Sequence, residues 1–172
     1  MLIYEMFKNA DPRHLAYVGT STVTYGELEK AVDCYRNTLY ALGIRKGDRV
    51  GLYTANCAEF VYVYMGVTSL GAIIVPINNS LVDREVDYIL KDAGAKLLVS
   101  DTPLTVSCDF IELSRLNEKA FSENAPAAPD VSGELSEDDV CALVYTSGTT
   151  GKPKGAMPVS YTHLTLPTTS RV

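Results

Sequence analysis

Arg49–Ser100 reads RVGLYTANCAEFVYVYMGVTSLGAIIVPINNSLVDREVDYILKDAGAKLLVS, and this stretch decides the fold. Arg49–Ala55 is a β-rich run. A helix is predicted to begin near Asn56 and to carry Phe60, Val63, Val67 and Leu70 until Gly71 stops it. Ala72–Ile77 is continuously apolar and closes on a proline and asparagines, the pattern of a strand buried on both faces. Asp83–Ala93 follows as a helix with Val86, Ile89 and Leu90 on one side, and Lys96–Ser100 as another strand. Strands alternating with helices through short connections imply right-handed crossovers. The fold class is therefore α/β, a largely parallel sheet with helices on both faces.

Working outward towards the N-terminus, Thr24 and Glu27 make a capping box. Leu28, Val32, Tyr35, Leu39 and Leu42 then recur at steps of four and three until Gly43, so a helix lays an apolar stripe on a core. Leu15–Thr20 and Val23–Thr24 flank a Ser21–Thr22 turn and read as two short strands. Towards the C-terminus, Cys108–Leu113 is a further strand. Residues 124–139, rich in Pro, Ala, Ser and acid, read as a surface linker.

The linker delivers the chain to Val140–Tyr145, a short apolar strand that runs into Thr146-Ser147-Gly148-Thr149-Thr150-Gly151-Lys152-Pro153-Lys154-Gly155. Glycines among hydroxyl residues let the backbone curl so that successive N–H groups converge on one point, forming a concavity suited to phosphate oxygens. Lys152 and Lys154 place positive charge at its exit, where a charge-assisted hydrogen bond is worth about 1.5 to 3 kcal/mol. Thr146–Gly155 is expected to leave the strand as an exposed or poorly ordered loop. Walker A spacing fails, because Gly148 and Gly151 enclose two residues rather than four and Pro153 follows Lys152. A dinucleotide fingerprint fails too, for no GxG opens the loop. By composition alone, a Gly, Ser and Thr tract after a strand equally describes a flexible hairpin or linker.

Composition sets the outer bounds. Of 172 residues, 47% are hydrophobic and 21% charged, the usage of an ordinary folded protein. A net charge of -6 with scattered Lys and Arg argues against nucleic acid as a partner. MLIYEMFKNADPRH carries no secretory pattern, and the apolar stretches fall short of a bilayer span, so a cytoplasmic protein is expected. Cys34, Cys57, Cys108 and Cys141 are widely spaced, without CxxC pairs or a nearby His, and read as reduced thiols rather than metal ligands. His14 and His163 have no local catalytic partner.

The string YTSGTTGKPKG, Tyr145–Gly155, matches position by position the signature loop of the adenylate-forming superfamily. That superfamily includes acyl-CoA synthetases, luciferases and peptide-synthetase adenylation domains. Thr24–Asp101 is similar to the N-terminal part of the same superfamily. LGIRKGDRV and GAIIVPIN resemble the acyl-CoA ligases in particular. The resemblance implies a parent enzyme that joins a carboxylate to the α-phosphate of ATP with Mg²⁺, releases pyrophosphate, and passes the acyl group to coenzyme A. A fatty acid is the expected acid. Thr146, Ser147, Gly148, Thr149, Thr150 and Gly151 would hold the departing phosphates, with Lys154 adding charge. It implies no catalytic residue within these 172 residues and leaves the metal ligands unassigned. Two other readings stand beside it: a peptide-synthetase adenylation domain, against which the Thr149-Thr150 pair leans, and a non-catalytic nucleotide-binding module.

Residues 1–157 are accordingly expected to be the N-terminal portion of an AMP-binding domain, inactive without the remainder. Residues 158–172, PVSYTHLTLPTTSRV, have no expected counterpart in the family. Val159–Thr168 resembles a translated sequencing-library adapter, which makes this tail an expected non-native read-through and removes His163 from consideration.

Overall fold

The structure, a computed structural model, describes residues 5–7, 9–19, 21–122, 125–146 and 154–156. A short antiparallel pair, β1 (Leu15–Val18) and β2 (Thr22–Thr24), leads into helix α1 (Tyr25–Ala41). The capping box forms as the sequence predicts: the Glu27 amide donates to Thr24 Oγ1 at 3.3 Å and the Thr24 amide to Glu27 Oε2 at 2.8 Å. Leu28, Val32, Tyr35 and Leu39 are buried along one stripe.

Next come β3 (Arg49–Tyr53), α2 (Ala58–Ser69), β4 (Ile73–Ile77), α3 (Asp83–Ala93), β5 (Leu97–Ser100), β6 (Asp109–Glu112) and α4 (Leu113–Ser122). Strands β4-β3-β5-β6 lie in that order and are all parallel. The chain steps from β3 to β4 on one side, then returns past β3 to β5, so successive crossover helices cover opposite faces. Period-two alternation sorts the side chains accordingly. Val50, Leu52, Ile74, Leu97, Val99 and Ile111 join α1, α2 and α4 in the larger core, whereas Tyr53, Val75, Ile77 and Leu98 meet α3 in a smaller one. Gly94 ends α3 with φ at 62°, a left-handed turn that favours glycine.

Between β6 and residue 139, two elements differ from the sequence reading. Helix α4 begins directly after β6, with Leu113, Leu116 and Ala120 buried. Its sequence carries no capping residue or turn signal to separate it from the strand. The presumed surface linker is a fitted strap: it contains a 3-10 turn at Ser132–Glu134 and buries Ala128. The Ala128 amide donates to Asn37 Oδ1 at 2.9 Å, and Arg36 on α1 donates to the carbonyls of Ala128 and Pro129. Lys46 holds the far end through the Glu134 carbonyl and an ion pair with Asp139 at 3.5 Å.

Candidate functional site

The strap brings the chain alongside β4. The Ile74 amide donates to the Cys141 carbonyl at 3.0 Å and the Leu143 amide to the Ile74 carbonyl at 2.8 Å, a parallel bridge centred on Ala142. The predicted strand over 140–145 therefore shortens. Pro76, two residues after Ile74 on the same strand edge, has no N–H to offer, so the ladder to β4 cannot continue. The chain instead forms β7 (Val144–Thr146), which pairs antiparallel with β8 (Lys154–Ala156).

The hairpin corrects the expectation that Thr146–Gly155 is loop throughout: Thr146 and Lys154–Gly155 belong to strands, and register sets Thr146 opposite Lys154. Two of the proposed phosphate-binding residues thus meet at the mouth of the turn. Ser147, Gly148, Thr149, Thr150 and Gly151 lie outside the described residues, as do Lys152 and Pro153, His163 and the tail 158–172.

Because the chain at Ala142 runs parallel to β4, β7 heads towards the carboxyl edge of the parallel sheet, the edge at which α/β folds commonly bind ligands. Hydrogen bonds fix that edge. Asp101 after β5 accepts from Thr54 Oγ1 and the Ala55 amide, each at 2.8 Å, tying the end of β3 to that of β5. Tyr53 donates its hydroxyl to the carbonyls of Asn79 and Leu81 at 2.8 and 3.0 Å, fixing the turn after β4. Asn78 Oδ1 accepts from the Ser80 amide at 3.0 Å, closing the same turn.

The stem has its own anchors. Val144 packs on the larger core, Leu143 and Tyr145 on the smaller. The Tyr145 hydroxyl donates to Asp92 Oδ2 of α3 at 2.7 Å. Burial, then the Asp92 carboxylate, raise the Tyr145 pKa above the ordinary phenol value, so the hydroxyl keeps its proton. Sequence reasoning missed Asp92, Asp101 and Arg36; their partners are distant in sequence and no local pattern marks them.

The four cysteines form no disulfide. Among the described residues, no group of three or more His, Cys, Asp or Glu could hold a metal, and no helix is long and apolar enough to cross a membrane.

A family described as AMP-binding enzyme matches residues 5–166. The long-chain-fatty-acid–CoA ligase FadD13 of Mycobacterium tuberculosis is 39% identical over 170 residues, covering 88% of this chain and 32% of the relative. The crotonobetaine/carnitine–CoA ligase of Escherichia coli is 35% identical over 158 residues, covering 80% of this chain and 31% of the relative. The chain thus spans about a third of the length of the curated relatives it matches. Among solved structures, the inhibitor-bound N-terminal domain of FACL13 from Mycobacterium tuberculosis superposes with a TM-score of 0.80 at 34% identity, over 92% of this chain and 43% of that one. The O-succinylbenzoate coenzyme A synthetase MenE from Bacillus subtilis, in complex with AMP, gives a TM-score of 0.83 at 29% identity, over 95% and 44%.

Proposed function

The chain belongs to the AMP-binding enzyme family, and from that premise we propose that its parent protein is an ATP-dependent acid:CoA ligase, with a fatty acid as the acid. The likeness to FadD13 supports the acid class and the thiol acceptor. In the first step a substrate carboxylate oxygen attacks the α-phosphorus of ATP, and the bond to the bridging oxygen breaks, giving acyl-adenylate and pyrophosphate. In the second, the thiol sulfur of coenzyme A attacks the acyl carbon, its proton is lost and AMP departs.

The observation that carries this reading is the hairpin: a loop of the adenylate-forming signature, its ends pinned at Thr146 and Lys154 on the carboxyl edge of a parallel sheet. Donors fixed before the reaction stabilise charge where it grows, here on the departing phosphates, without the reorganisation that water would require. Hydroxyl and backbone donors from Thr146, Ser147, Gly148, Thr149, Thr150 and Gly151 hold those phosphates in this reading, and Lys154 adds charge. Mg²⁺ neutralises triphosphate charge when bound. The described residues offer no carboxylate cluster fitted to it. A cytoplasmic location also belongs to this reading.

The test is acid-dependent pyrophosphate release by the parent protein across fatty acids of increasing length. Lys154→Ala should slow that half-reaction by roughly 10- to 150-fold, the loss of about 1.5 to 3 kcal/mol. Thioester formation from supplied acyl-adenylate should change much less, and Lys152→Ala should affect neither step strongly. Absence of acid-dependent release from the parent, or equal losses in both half-reactions for Lys154→Ala, would sink the assignment. The 172-residue chain alone should release none.

A further inference from the structure

We propose that Asp92 and Tyr145 form a positioning pair that fixes the stem of the phosphate loop to α3, setting where the two strand ends, at Thr146 and Lys154, stand. The proposal rests on the ligase reading above for what the loop does, but not for what the pair holds. The stem needs such a hold. Beyond Leu143 the backbone hydrogen bonds to β4 stop, because Pro76 offers no donor, so β7 runs beside β4 without a ladder to hold it there. The Tyr145 side chain supplies the next tie. Its ring lies on the smaller core and its hydroxyl reaches Asp92 Oδ2 at 2.7 Å, one residue before Thr146.

The geometry makes the tie directional. Asp92 sits in the last turn of α3, a helix seated on the sheet by Val86, Ile89 and Leu90, so the acceptor is fixed by packed side chains. Tyr145 lies opposite Gly155 in the hairpin register, and restraining it restrains both strands of the stem. A shift at this point moves the two ends of the loop together, and small misplacements of donors cost catalysis steeply. Neither residue touches substrate. The pair acts through the stem.

The experiment uses the parent protein with Tyr145→Phe, Asp92→Ala, Asp92→Asn and the Tyr145→Phe/Asp92→Ala double variant. Tyr145→Phe removes only the hydroxyl, and Asp92→Asn keeps an oxygen acceptor. Two readouts are taken: hydrogen exchange of the amides at 144–146 and 154–156, and kcat/KM for ATP in acid-dependent pyrophosphate release. Tyr145→Phe and Asp92→Ala should each speed exchange and lower kcat/KM for ATP by about three- to tenfold, as expected for one lost hydrogen bond at a partly exposed position. Asp92→Asn should retain near-normal values. The double variant should be no worse than either single one, because both remove the same bond. Thioester formation from supplied acyl-adenylate should stay unchanged, which separates positioning from general loosening.

Unchanged exchange in Tyr145→Phe and Asp92→Ala would overturn the proposal. So would equal losses in both half-reactions, or an Asp92→Asn variant as impaired as Asp92→Ala. If the parent shows no acid-dependent pyrophosphate release, the ligase reading fails by itself. The exchange readout still decides whether the pair holds the stem.

Discussion

The two faces of the parallel sheet are built differently. One carries α1, α2 and α4 over a core of twenty-six buried side chains among the described residues; the other carries α3 over seven. On the thick face cohesion comes from apolar area, which is non-directional and indifferent to pH. At the rim of the thin face, α3 reaches its neighbours with carboxylates. Asp83 accepts from the Thr105 amide at 3.2 Å, Asp87 from the Ser107 amide and hydroxyl at 2.9 and 2.8 Å, and Asp92 from the Tyr145 hydroxyl. The β7–β8 hairpin is tied to this less deeply packed side through Tyr145. Segments with few buried apolar contacts open first, and parts that must adjust around a ligand are drawn from them.

The largest effect that can break this comparison is a cavity on each face. Leu39 and Leu90 are both essentially inaccessible. Leu39→Ala in the thick core should cost about 3 to 5 kcal/mol, because surrounding side chains cannot collapse into the space. Leu90→Ala should cost about 2 to 3 kcal/mol, since a shallow core relaxes more readily. Denaturant unfolding of the chain with both variants checks the order, and a reversed order would mean that the thin face is the better packed. Overpacking gives a smaller effect and sharpens the same point. At Gly51, on the thin face of β3, an added Cβ would stand 2.5 Å from Leu90 Cδ2 and 3.1 Å from Leu98 Cδ1. Gly51→Ala should destabilise by about 1 to 3 kcal/mol. Combined with Leu90→Ala it should cost less than the sum of the two, since the second change makes room for the first. Strict additivity would show that α3 does not rest on Gly51.

What the sequence makes legible follows from these two kinds of cohesion. The stripe Leu28, Val32, Tyr35 and Leu39 and the apolar run of β4 announce the parallel sheet and its helices, because burial is written as a period in nearby residues. The family is legible as well, because its signature is carried by consecutive residues, Tyr145–Gly155. The clasps are not. Asp92 looks like any acid in the last turn of an exposed helix, and only the fold brings it to Tyr145, 53 residues later. Pro76 is half legible: the run Ala72–Ile77 carries a strand through it, as the structure has it, but that its missing donor ends the pairing with the segment at 141–143 is visible only in the fold.

The smallest expected effect concerns acid, and it separates the faces without a cavity. The Lys91 ammonium, then the Ser107 hydroxyl, hold the Asp87 carboxyl below its ordinary value of 3.8. A depressed folded pKa means that the unfolded chain takes up the proton first as pH falls. The clasp's contribution is therefore complete above about 3.8 and disappears as pH drops through the lower folded value. Hydrogen exchange at residues 101–108, followed from neutral pH to below 3.8 and corrected for intrinsic rates, should show protection falling there before it falls in α1 and α2. Asp87→Asn keeps an acceptor for Ser107 but cannot titrate, so it should flatten that dependence while leaving α1 and α2 unchanged. Parallel loss of protection on both faces, or an unaltered acid profile in Asp87→Asn, would show that this carboxylate does not hold the connection between β5 and β6 to α3.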